Sequence, residues 1–399
     1  MSYSQFNKNR RSSYSYPSKF GSSRSGSRGP KKDYINPSRF IQSAKPVDQI
    51  EYQPTHKFSD FAVHPLIQEN LIAKGYGTPS AIQDQTIPVG LEGKDVVGIA
   101  DTGTGKTAAF AIPLLHKLMS DNEAAALILA PTRELAQQIE EQCRSIAKGS
   151  GLSGAILIGG VAMGPQLRDL KFAPRIVIGT PGRIKDHAER GTLQLSRFNI
   201  VVLDEVDRML DMGFINDIRH ILSQTAKVKQ SFFFSATLDE KVKSIINGFS
   251  IDPVHVMVKT GNTSDNVEQN IVTYSHVGEK LDKLQDLLLR EATSKTLVFD
   301  DTHRSVEKLC QELQARGFQS DAIHGGKSQS QRQRALKRFK DNQIKVLVAT
   351  DVAARGIDVA DITHVINFSL PQTYGDYVHR IGRTGRAGRQ GFALTFVEK

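Results

Sequence analysis

The chain has 399 residues, of which 39% are hydrophobic and 24% charged, and its formal net charge is +10. This composition is typical of a globular protein of about two to three domains. No apolar run approaches the roughly 18 residues of a membrane span, and no signal peptide is recognisable. Two cysteines, Cys143 and Cys310, lie far apart without metal-ligand spacing, which argues against a disulfide framework or a zinc site. We therefore expect a cytoplasmic protein with no membrane contact.

Basic residues concentrate in a leader over residues 1–57, which holds eleven Lys or Arg and three acidic residues, a net charge of +8. Its few apolar residues cannot bury enough surface to offset the entropy of ordering, so we expect it to be disordered. Aromatic and arginine side chains alternate within it, a pattern suited to stacking on bases and contacting phosphates of single-stranded nucleic acid. A purely solubilising tail is the alternative.

A short polar segment, Gly75–Gln83, follows a run with helical periodicity. The Gln83 amide can donate and accept hydrogen bonds at once, which matches the N6 and N7 edge of adenine, and the Tyr76 ring is suited to stacking on a base. Taken alone, a polar helix cap is the more ordinary interpretation. The segment gains weight because it lies about one strand upstream of a glycine-rich loop.

That glycine-rich loop follows the apolar run 96–99 and precedes a helix-forming stretch. Glycines allow backbone N–H groups at a helix N-terminus to close around phosphate oxygens. Lys106 is placed to reach the β- and γ-phosphates, and Thr107 to offer its hydroxyl to Mg²⁺. An ordinary strand-to-helix turn is the alternative, since Ala100 replaces the first glycine of the general pattern. The predicted nucleotide-binding loop comprises Ala100, Asp101, Thr102, Gly103, Thr104, Gly105, Lys106 and Thr107.

An acidic tetrad, residues 204–207, ends the continuous apolar run 200–203. Such a run is typical of a buried strand of a parallel sheet. We expect Asp204 to orient Mg²⁺ and Glu205 to accept a proton from the water that attacks the γ-phosphate. A helix N-cap is the alternative, because Asp is equally suited to that position.

Short apolar runs alternate with helical patterns along both halves of the chain, which predicts two α/β domains with parallel sheets. A polar, turn-rich stretch separates them. We predict a first domain over 58–258, a linker over 259–268 and a second domain over 269–399. The strand candidates are 95–100, 125–130, 154–158, 175–179, 199–203, 230–235 and 254–258, then 269–275, 295–299, 320–323, 345–349, 364–368 and 391–397.

The second half has no phosphate loop but carries three arginines, Arg380, Arg383 and Arg386, spaced three residues apart. This spacing predicts that they share one helix face. A guanidinium inserted from a second domain stabilises charge on a transferring phosphoryl group. A solvated basic helix is the alternative, although glycines inside such a helix are costly.

Together these segments resemble the DEAD-box family of ATP-dependent RNA helicases, over about residues 58–399. Phe58 with Gly75–Gln83 resembles the Q motif, the loop at 100–107 Walker A, the tetrad at 204–207 Walker B, and 235–237 the coupling motif. The remaining motifs of the family are matched by 131–136, 159–160, 180–183, Gln329 with Arg332, 349–358 and 379–386.

The resemblance implies two tandem recombinase-like domains, joined by a short linker, that close on ATP, Mg²⁺ and RNA together. Tyr76 would then stack on adenine beside Phe58, Gln83 would read the base, and Asp358 would lie near the ribose. Arg383 and Arg386 would act as arginine fingers. The residues implied to hold the RNA backbone are Arg133, Gly160, Thr180, Arg183, Arg332 and Thr350, and those implied to couple the two domains are Asp207, Ser235, Thr237 and Arg380.

Two positions depart from the family pattern. Val206 stands where the tetrad has Ala, which keeps both carboxylates and adds two methyl groups, and Asp101 places a negative charge beside a phosphate site. Neither change removes a group that the chemistry requires.

We expect an RNA-stimulated ATPase that unwinds short duplexes or remodels RNA–protein complexes, acts as a monomer and has little sequence specificity. An ATP-gated RNA clamp and a DNA-directed helicase or translocase are the alternatives.

Overall fold

The polypeptide is built on two β-sheets, one in each half of the chain, and every strand in both pairs in parallel. The structure, a computed structural model, describes residues 35–44, 52–101, 103–258, 265–290, 293–354, 359, 361–385 and 389–399. No helix within these ranges has the length and apolar character needed to cross a membrane.

The first sheet has seven strands among the described residues, in the spatial order β3-β4-β2-β5-β6-β1-β7. These strands are β1 Val96–Ile99, β2 Ala126–Leu129, β3 Gly154–Leu157, β4 Ile176–Gly179, β5 Ile200–Leu203, β6 Gln230–Ser235 and β7 Val254–Met257. The helices around it are α1 Pro65–Ala73, α2 Ala81–Leu91, α3 Lys106–Ser120, α4 Arg133–Ile146, α5 Met163–Lys171, α6 Pro181–Glu189, α7 Val206–Asp211, α8 Ile215–Gln224 and α9 Glu240–Phe249.

The second sheet has six strands in the described part of the chain, in the order β10-β11-β9-β12-β13-β8. These strands are β8 Val267–Tyr274, β9 Thr296–Phe299, β10 Ser320–Ile323, β11 Val346–Ala349, β12 His364–Asn367 and β13 Gly391–Glu398. The helices are α10 Val277–Leu288, α11 His303–Ala315, α12 Gln329–Lys340, α13 Asp351–Ala354 and α14 Tyr374–Ile381.

All thirteen predicted strands are present, with ends that differ from the prediction by no more than two residues. The central strands β2, β5, β9 and β11 are buried along their whole length, because helices cover both faces of a parallel sheet. Short continuous apolar runs are the sequence pattern of such strands. The predicted architecture of two parallel-sheet α/β domains is confirmed.

Both cysteines are free and buried, Cys143 in α4 of the first domain and Cys310 in α11 of the second. Burial raises the pKa of the Cys143 thiol to about 12, and burial likewise raises the pKa of Cys310.

Part of the predicted disordered leader is ordered, which corrects that prediction for residues 35–44 and 52–57. Residues Pro37–Phe40 form a 3₁₀ turn, and Phe40 is fully buried against the second domain. Tyr52, Thr55 and His56 hydrogen-bond to Asp84 of α2. A few well-placed contacts therefore hold a stretch whose average composition is polar. Residues 1–34 and 45–51 lie outside the described residues, so the nucleic-acid-binding hypothesis for the basic arm stays a prediction.

Arg380 and Arg383 do not share one helix face, which corrects the prediction from their spacing for these two residues. Helix α14 ends at Ile381, and Gly382 caps it. Arg383 lies in the turn that follows, where Gly385 has a φ of 70°. Glycine favours this left-handed backbone conformation, which keeps the turn after Arg383 from continuing as a helix. Arg386 lies outside the described residues.

Arg380, predicted to couple the two domains, binds groups within the second domain. Its Nε and Nη2 atoms donate to the two carboxylate oxygens of Asp351, each at 2.6 Å, and Nη1 donates to the Ser369 carbonyl at 2.7 Å. The guanidinium also lies over the Phe299 ring, 5.1 Å from its centroid. With only 1% of its surface exposed, Arg380 joins α14, α13 and the end of β9.

We predict that Arg380→Lys destabilises the second domain. Lysine cannot reproduce the two-pronged contact with Asp351, and breaking a buried ion pair costs about 3–5 kcal/mol. Thermal unfolding of the full chain should show a melting temperature lower by several degrees. The matched control is Arg389→Lys, because Arg389 pairs with Asp361 at the surface with 71% of its side chain exposed. Equal melting temperatures for the two variants would contradict a structural role for Arg380.

Candidate nucleotide and nucleic-acid site

The glycine-rich loop connects β1 to α3 in a conformation that requires glycine. Gly103 has a φ of 84° and Gly105, which precedes the first helical residue, a φ of 93°. The loop therefore exposes the N-terminus of a 15-residue helix, where unpaired N–H groups favour an anion. The Lys106 side chain is buried and donates to the Ala100 carbonyl at 2.9 Å. Thr102 lies outside the described residues.

The Q-motif segment contacts this loop directly. Ser80 Oγ donates to the Thr104 carbonyl at 2.7 Å, and Gln83 Nε2 donates to the Gly105 carbonyl at 3.1 Å. Gln83 Oε1 accepts from the Ser80 backbone N–H at 2.9 Å, which caps α2. A Cβ atom on Gly105 would lie 2.3 Å from Gln83 Nε2, so the two segments fit only with glycine there. The predicted contact of Gln83 with adenine remains a prediction.

Tyr76 lies at the surface of an aromatic group that includes Phe58. The Phe58 and Tyr76 rings meet edge to face, with centroids 5.1 Å apart. Phe58 is only 2% exposed, whereas Tyr76 is partly exposed and its hydroxyl accepts from Gln142 at 3.3 Å. Buried Phe58 therefore packs against the Tyr76 ring and positions it, and Tyr76 is the ring available to a ligand.

The acidic tetrad begins at the carboxyl end of β5, with Asp204 and Glu205 both buried. Glu205 adopts a left-handed backbone conformation with a φ of 53°, which is costly for a residue other than glycine. Strain of this kind is concentrated at functional sites. It turns the chain sharply from β5 into α7, where Val206 packs fully buried in the core.

The electrostatics of Asp204 fit a cation-binding carboxylate. Burial raises the pKa of Asp204 to about 7, and the positive charge of Lys106 offsets part of that rise. A divalent cation would favour the ionised carboxylate in the same way. Among the described residues no cluster of three His, Cys, Asp or Glu could hold a metal alone. The binding of Mg²⁺ by Asp204 and Thr107 stays a prediction.

The last acid of the tetrad joins β6 to the phosphate site. One carboxylate oxygen of Asp207 accepts from the backbone N–H groups of Ala236 and Thr237, both at 3.2 Å, and from the Thr237 hydroxyl at 3.3 Å. Ser235, the third predicted coupling residue of this domain, is buried, and no described residue hydrogen-bonds to its hydroxyl.

Four predicted RNA-binding residues of the first domain lie at the carboxyl ends of neighbouring strands. The Arg133 guanidinium lies so close to Gly160 that a Cβ there would be 2.0 Å from Arg133 Nη1. Arg183 donates to the Val161 carbonyl at 3.3 Å, and Thr180 precedes the first turn of α6. Ligands bind at this edge of open parallel sheets. The structure therefore brings Arg133, Gly160 and Arg183 together around the 159–161 loop.

The two domains meet at a buried carboxylate, Glu134 of α4. Glu134 Oε1 accepts from Gln329 Nε2 at 3.2 Å, and its Oε2 atom lies 2.9 Å from Arg332 Nη2. Gln329 also donates to Gln137 at 3.1 Å. Arg332 thus contacts a protein carboxylate here, and its contact with RNA stays a prediction. Burial and the nearby charge of Arg332 lower the pKa of Arg133, so these cations lie close together at the interface.

A pocket between the domains brings Arg383 close to the acidic tetrad. Arg208, which directly follows the tetrad, lines this pocket with residues from α13, α14 and β9. The lining residues are Arg208, Phe299, Asp351, Ala354, Asp376, His379, Arg380 and Arg383. Arg383 is 5% exposed. Asp358 lies outside the described residues, as does Arg386.

Thr350, the remaining residue predicted to contact RNA, lies at the end of β11. Its carbonyl accepts from the N–H groups of Ala353 and Ala354 at the start of α13. Its buried hydroxyl has no hydrogen-bond partner among the described residues, so it retains a free donor and acceptor.

Asp101 is partly exposed beside the phosphate loop, and its carbonyl accepts from the Thr104 hydroxyl at 2.8 Å.

Sequence reasoning missed two residues at this interface, Glu134 and Arg208. Glu134 directly follows Arg133, and Arg208 directly follows Asp207. Their place next to a predicted site residue was the signal in the sequence that could have identified them. Their function depends on the second domain, whose location the sequence does not reveal.

Known proteins share both halves of this arrangement. The family model for the DEAD/DEAH box helicase domain matches residues 80–245, and the helicase conserved C-terminal domain matches residues 279–388. The ATP-dependent RNA helicase CshA of Listeria monocytogenes is 44% identical over 343 residues, 86% of this chain and 66% of that protein. The DEAD-box ATP-dependent RNA helicase CshA of Bacillus subtilis is 45% identical over 86% of this chain and 70% of that protein.

Solved structures agree. A structure of S. cerevisiae Dbp5 bound to RNA and ADP BeF3 has a TM-score of 0.75 at 28% identity, and the match covers 86% of this chain and 89% of that one. The curated relatives extend beyond the matched region, since this chain spans about two thirds of the length of the Listeria protein. With both family models matched in order and the Q-motif segment in contact with the phosphate loop, the chain belongs to the DEAD-box family of ATP-dependent RNA helicases.

Proposed function

We propose that this protein binds Mg²⁺–ATP and RNA between its two domains and uses ATP hydrolysis to unwind short duplexes or remodel RNA–protein complexes. One observation carries the proposal: Arg208, next to the acidic tetrad, and Arg383 of the second domain line the same pocket. Groups for phosphoryl transfer thus come from both domains, and their assembly depends on domain closure.

The first domain supplies the groups around the phosphates. Lys106 would exchange its contact with the Ala100 carbonyl for the β- and γ-phosphates, and Asp204 with Thr107 would hold Mg²⁺. The cation would neutralise charge on the phosphate oxygens. Glu205, buried beside Asp204, would orient the attacking water and accept its proton. Arg383 would stabilise the charge that develops on the transferring phosphoryl group.

The second part of the proposal concerns coupling. Movement of the tetrad would pass through Asp207 to residues 236–237, because one carboxylate oxygen accepts all three of their hydrogen bonds. Glu134 would couple the second domain to the 159–161 loop, because it contacts Arg332 and directly follows Arg133, whose guanidinium lies against Gly160. The Dbp5 structure in this family contains RNA together with a nucleotide, which supports binding of both ligands at once here.

An ATP-gated RNA clamp remains the second candidate, because it needs the same contacts without productive unwinding. ATPase rates with RNA, with DNA and without nucleic acid, measured beside unwinding of a short duplex, separate the possibilities. RNA-stimulated ATPase with unwinding supports a helicase, the same ATPase without unwinding supports a clamp, and equal stimulation by DNA supports a DNA-directed enzyme. We further propose that the protein works as a monomer and that it resides in the cytoplasm, where thiols such as those of Cys143 and Cys310 stay reduced.

We predict that Glu205→Gln binds ATP and RNA but hydrolyses ATP at least about 100-fold more slowly, as expected for the loss of a positioned base. Glu240→Gln is the matched control, because Glu240 is an exposed residue of α9. Steady-state ATPase and equilibrium RNA binding provide the two measurements. Near-normal turnover of Glu205→Gln would exclude Glu205 as the base.

We predict that Gln83→Ala raises the KM for ATP at least about tenfold and narrows the preference for ATP over GTP, because a base edge loses its paired donor and acceptor. Gln224→Ala serves as the control, because Gln224 is an exposed residue at the end of α8. If Gln83 only supports Gly105, the KM values for ATP and GTP should rise by the same factor.

We predict that Arg383→Ala lowers RNA-stimulated kcat by about 1,000-fold or more while nucleotide binding to the first domain persists. Arg389→Ala removes a nearby but exposed guanidinium and should leave kcat within about twofold. Fluorescent nucleotide titration and ATPase at saturating RNA are the measurements. Equal kcat values for the two variants would contradict the arginine-finger role.

A further inference from the structure

Residues 35–44, upstream of both helicase domains, dock on the second domain through one buried aromatic side chain. Phe40 is fully buried in a cluster with Val267 of β8, Tyr377 and Ile381 of α14, and Ala393 of β13. The Phe40 and Tyr377 rings lie 4.7 Å apart between centroids. Burying a phenylalanine side chain is among the larger single contributions to apolar stabilisation, so Phe40 is an anchor for this segment.

Polar contacts fix the position of the same segment. Gln42 forms an antiparallel bridge with Gln269 on β8, with N···O distances of 3.0 and 2.8 Å. The Ala44 N–H donates to the Glu268 carboxylate at 2.8 Å, and the Arg39 guanidinium lies 3.7 Å from the centroid of the Tyr374 ring. We call residues 35–44 the upstream anchor.

A second group of contacts, only eight residues farther along the chain, attaches to the first domain. Asp84 of α2, 2% exposed, accepts from the Tyr52 hydroxyl at 2.6 Å, the Thr55 N–H at 2.8 Å and the His56 N–H at 3.1 Å. These hydrogen bonds outweigh the opposing effect of burial and lower the pKa of Asp84, which remains ionised at neutral pH. We call residues 52–56 the downstream anchor.

We propose that the two anchors form a second connection between the helicase domains, in addition to the interdomain linker, and that this connection limits how far the domains separate between catalytic cycles. The surface formed by β8, β13 and α14 is the docking site, and its occupant is the chain's own upstream anchor.

The length of chain between the anchors sets the limit. From Ala44 to Tyr52 the chain advances eight residues, which span at most about 26–29 Å when fully extended. The docking sites of the two anchors can move farther apart than this only if Phe40 leaves its pocket or Asp84 loses its partners. The connection therefore raises the effective concentration of one domain near the other, which favours closure on RNA.

The connection also reaches the nucleotide site. Asp84 is adjacent to Gln83, whose amide contacts the phosphate loop. The upstream anchor lies on β8, which is the first strand of the second domain and the edge strand of its sheet. Tension in the connection would therefore act on α2 at one end and on the edge of the second sheet at the other.

The test uses the full chain with Phe40→Asp, which places a charge in an apolar pocket and should release the upstream anchor. Ile41→Asp is the matched control, because it adds the same charge at a neighbouring side chain that is 52% exposed. Small-angle X-ray scattering without ligands should give a larger radius of gyration for Phe40→Asp than for wild type or Ile41→Asp. This readout requires neither ATP nor RNA, so it is independent of the proposed enzymatic function.

Kinetics give a second readout. Phe40→Asp should raise the KM for RNA in the ATPase assay by about threefold to tenfold and change kcat less than twofold, because closure is penalised while the closed site is unchanged. Hydrogen exchange should show loss of protection at the Gln42 and Gln269 amides. Unchanged scattering and unchanged KM, with only a lower melting temperature, would make Phe40 an ordinary core residue and overturn the proposal.

A double-mutant cycle distinguishes one connection from two independent contacts. Asp84→Ala removes the acceptor of the downstream anchor without touching the second domain, so it remains informative even if Phe40→Asp fails to fold. Phe58, two residues beyond the downstream anchor, stays in the first-domain core, so Asp84→Ala only lengthens the free chain, whereas Phe40→Asp frees its other end. The double variant should therefore change the KM and the radius of gyration no more than Phe40→Asp alone. Additive effects, or an Asp84→Ala chain as compact as wild type, would refute the connection.

Discussion

The parallel register of three strands fixes the geometry on which the rest of the site depends. Ile99 of β1 pairs with Ser235 of β6, and Leu203 of β5 pairs with Phe233 of β6. Because all three strands run in the same direction, the phosphate loop, the acidic tetrad and the coupling motif emerge from one edge of the sheet. Lys106, Asp204 and Asp207 therefore lie at the same edge of the sheet, which is the edge where open parallel sheets bind ligands.

Sequence patterns predicted the sheets well because each central strand is buried on both faces. Such strands need only four or so consecutive apolar residues, as in Ala126–Leu129 and Ile200–Leu203, and turn residues bound each run. Sequence patterns also singled out the candidate site residues inside one domain, because a single strand-to-helix turn sets their spacing. The left-handed conformation of Glu205 carried no such signal, because its residue type does not require that conformation.

The failures have physical causes of a different kind. Spacing alone placed Arg383 on a helix, but α14 ends at Ile381 and Gly382 caps it before Arg383. The order of residues 35–44 depends on one phenylalanine, whose burial outweighs a polar average composition only because a pocket exists on the second domain. Glu134 and Arg208 acquire their interdomain role from tertiary proximity, which no local pattern encodes. Contacts between distant parts of the chain were therefore the part that sequence reasoning could not supply.

Each domain contains one cysteine, and neither thiol is paired. Because burial raises the pKa of both thiols, an alkylating reagent reacts only after local opening exposes the sulfur and restores its acidity. Cys143 of α4 lies in the core of the first domain, whereas Cys310 of α11 lies in the core of the second. Each domain thus contains a native cysteine whose alkylation rate reports how often the surrounding core opens. Mass spectrometry of one sample measures both rates, and their ratio compares the opening free energies of the two domains without an introduced label site.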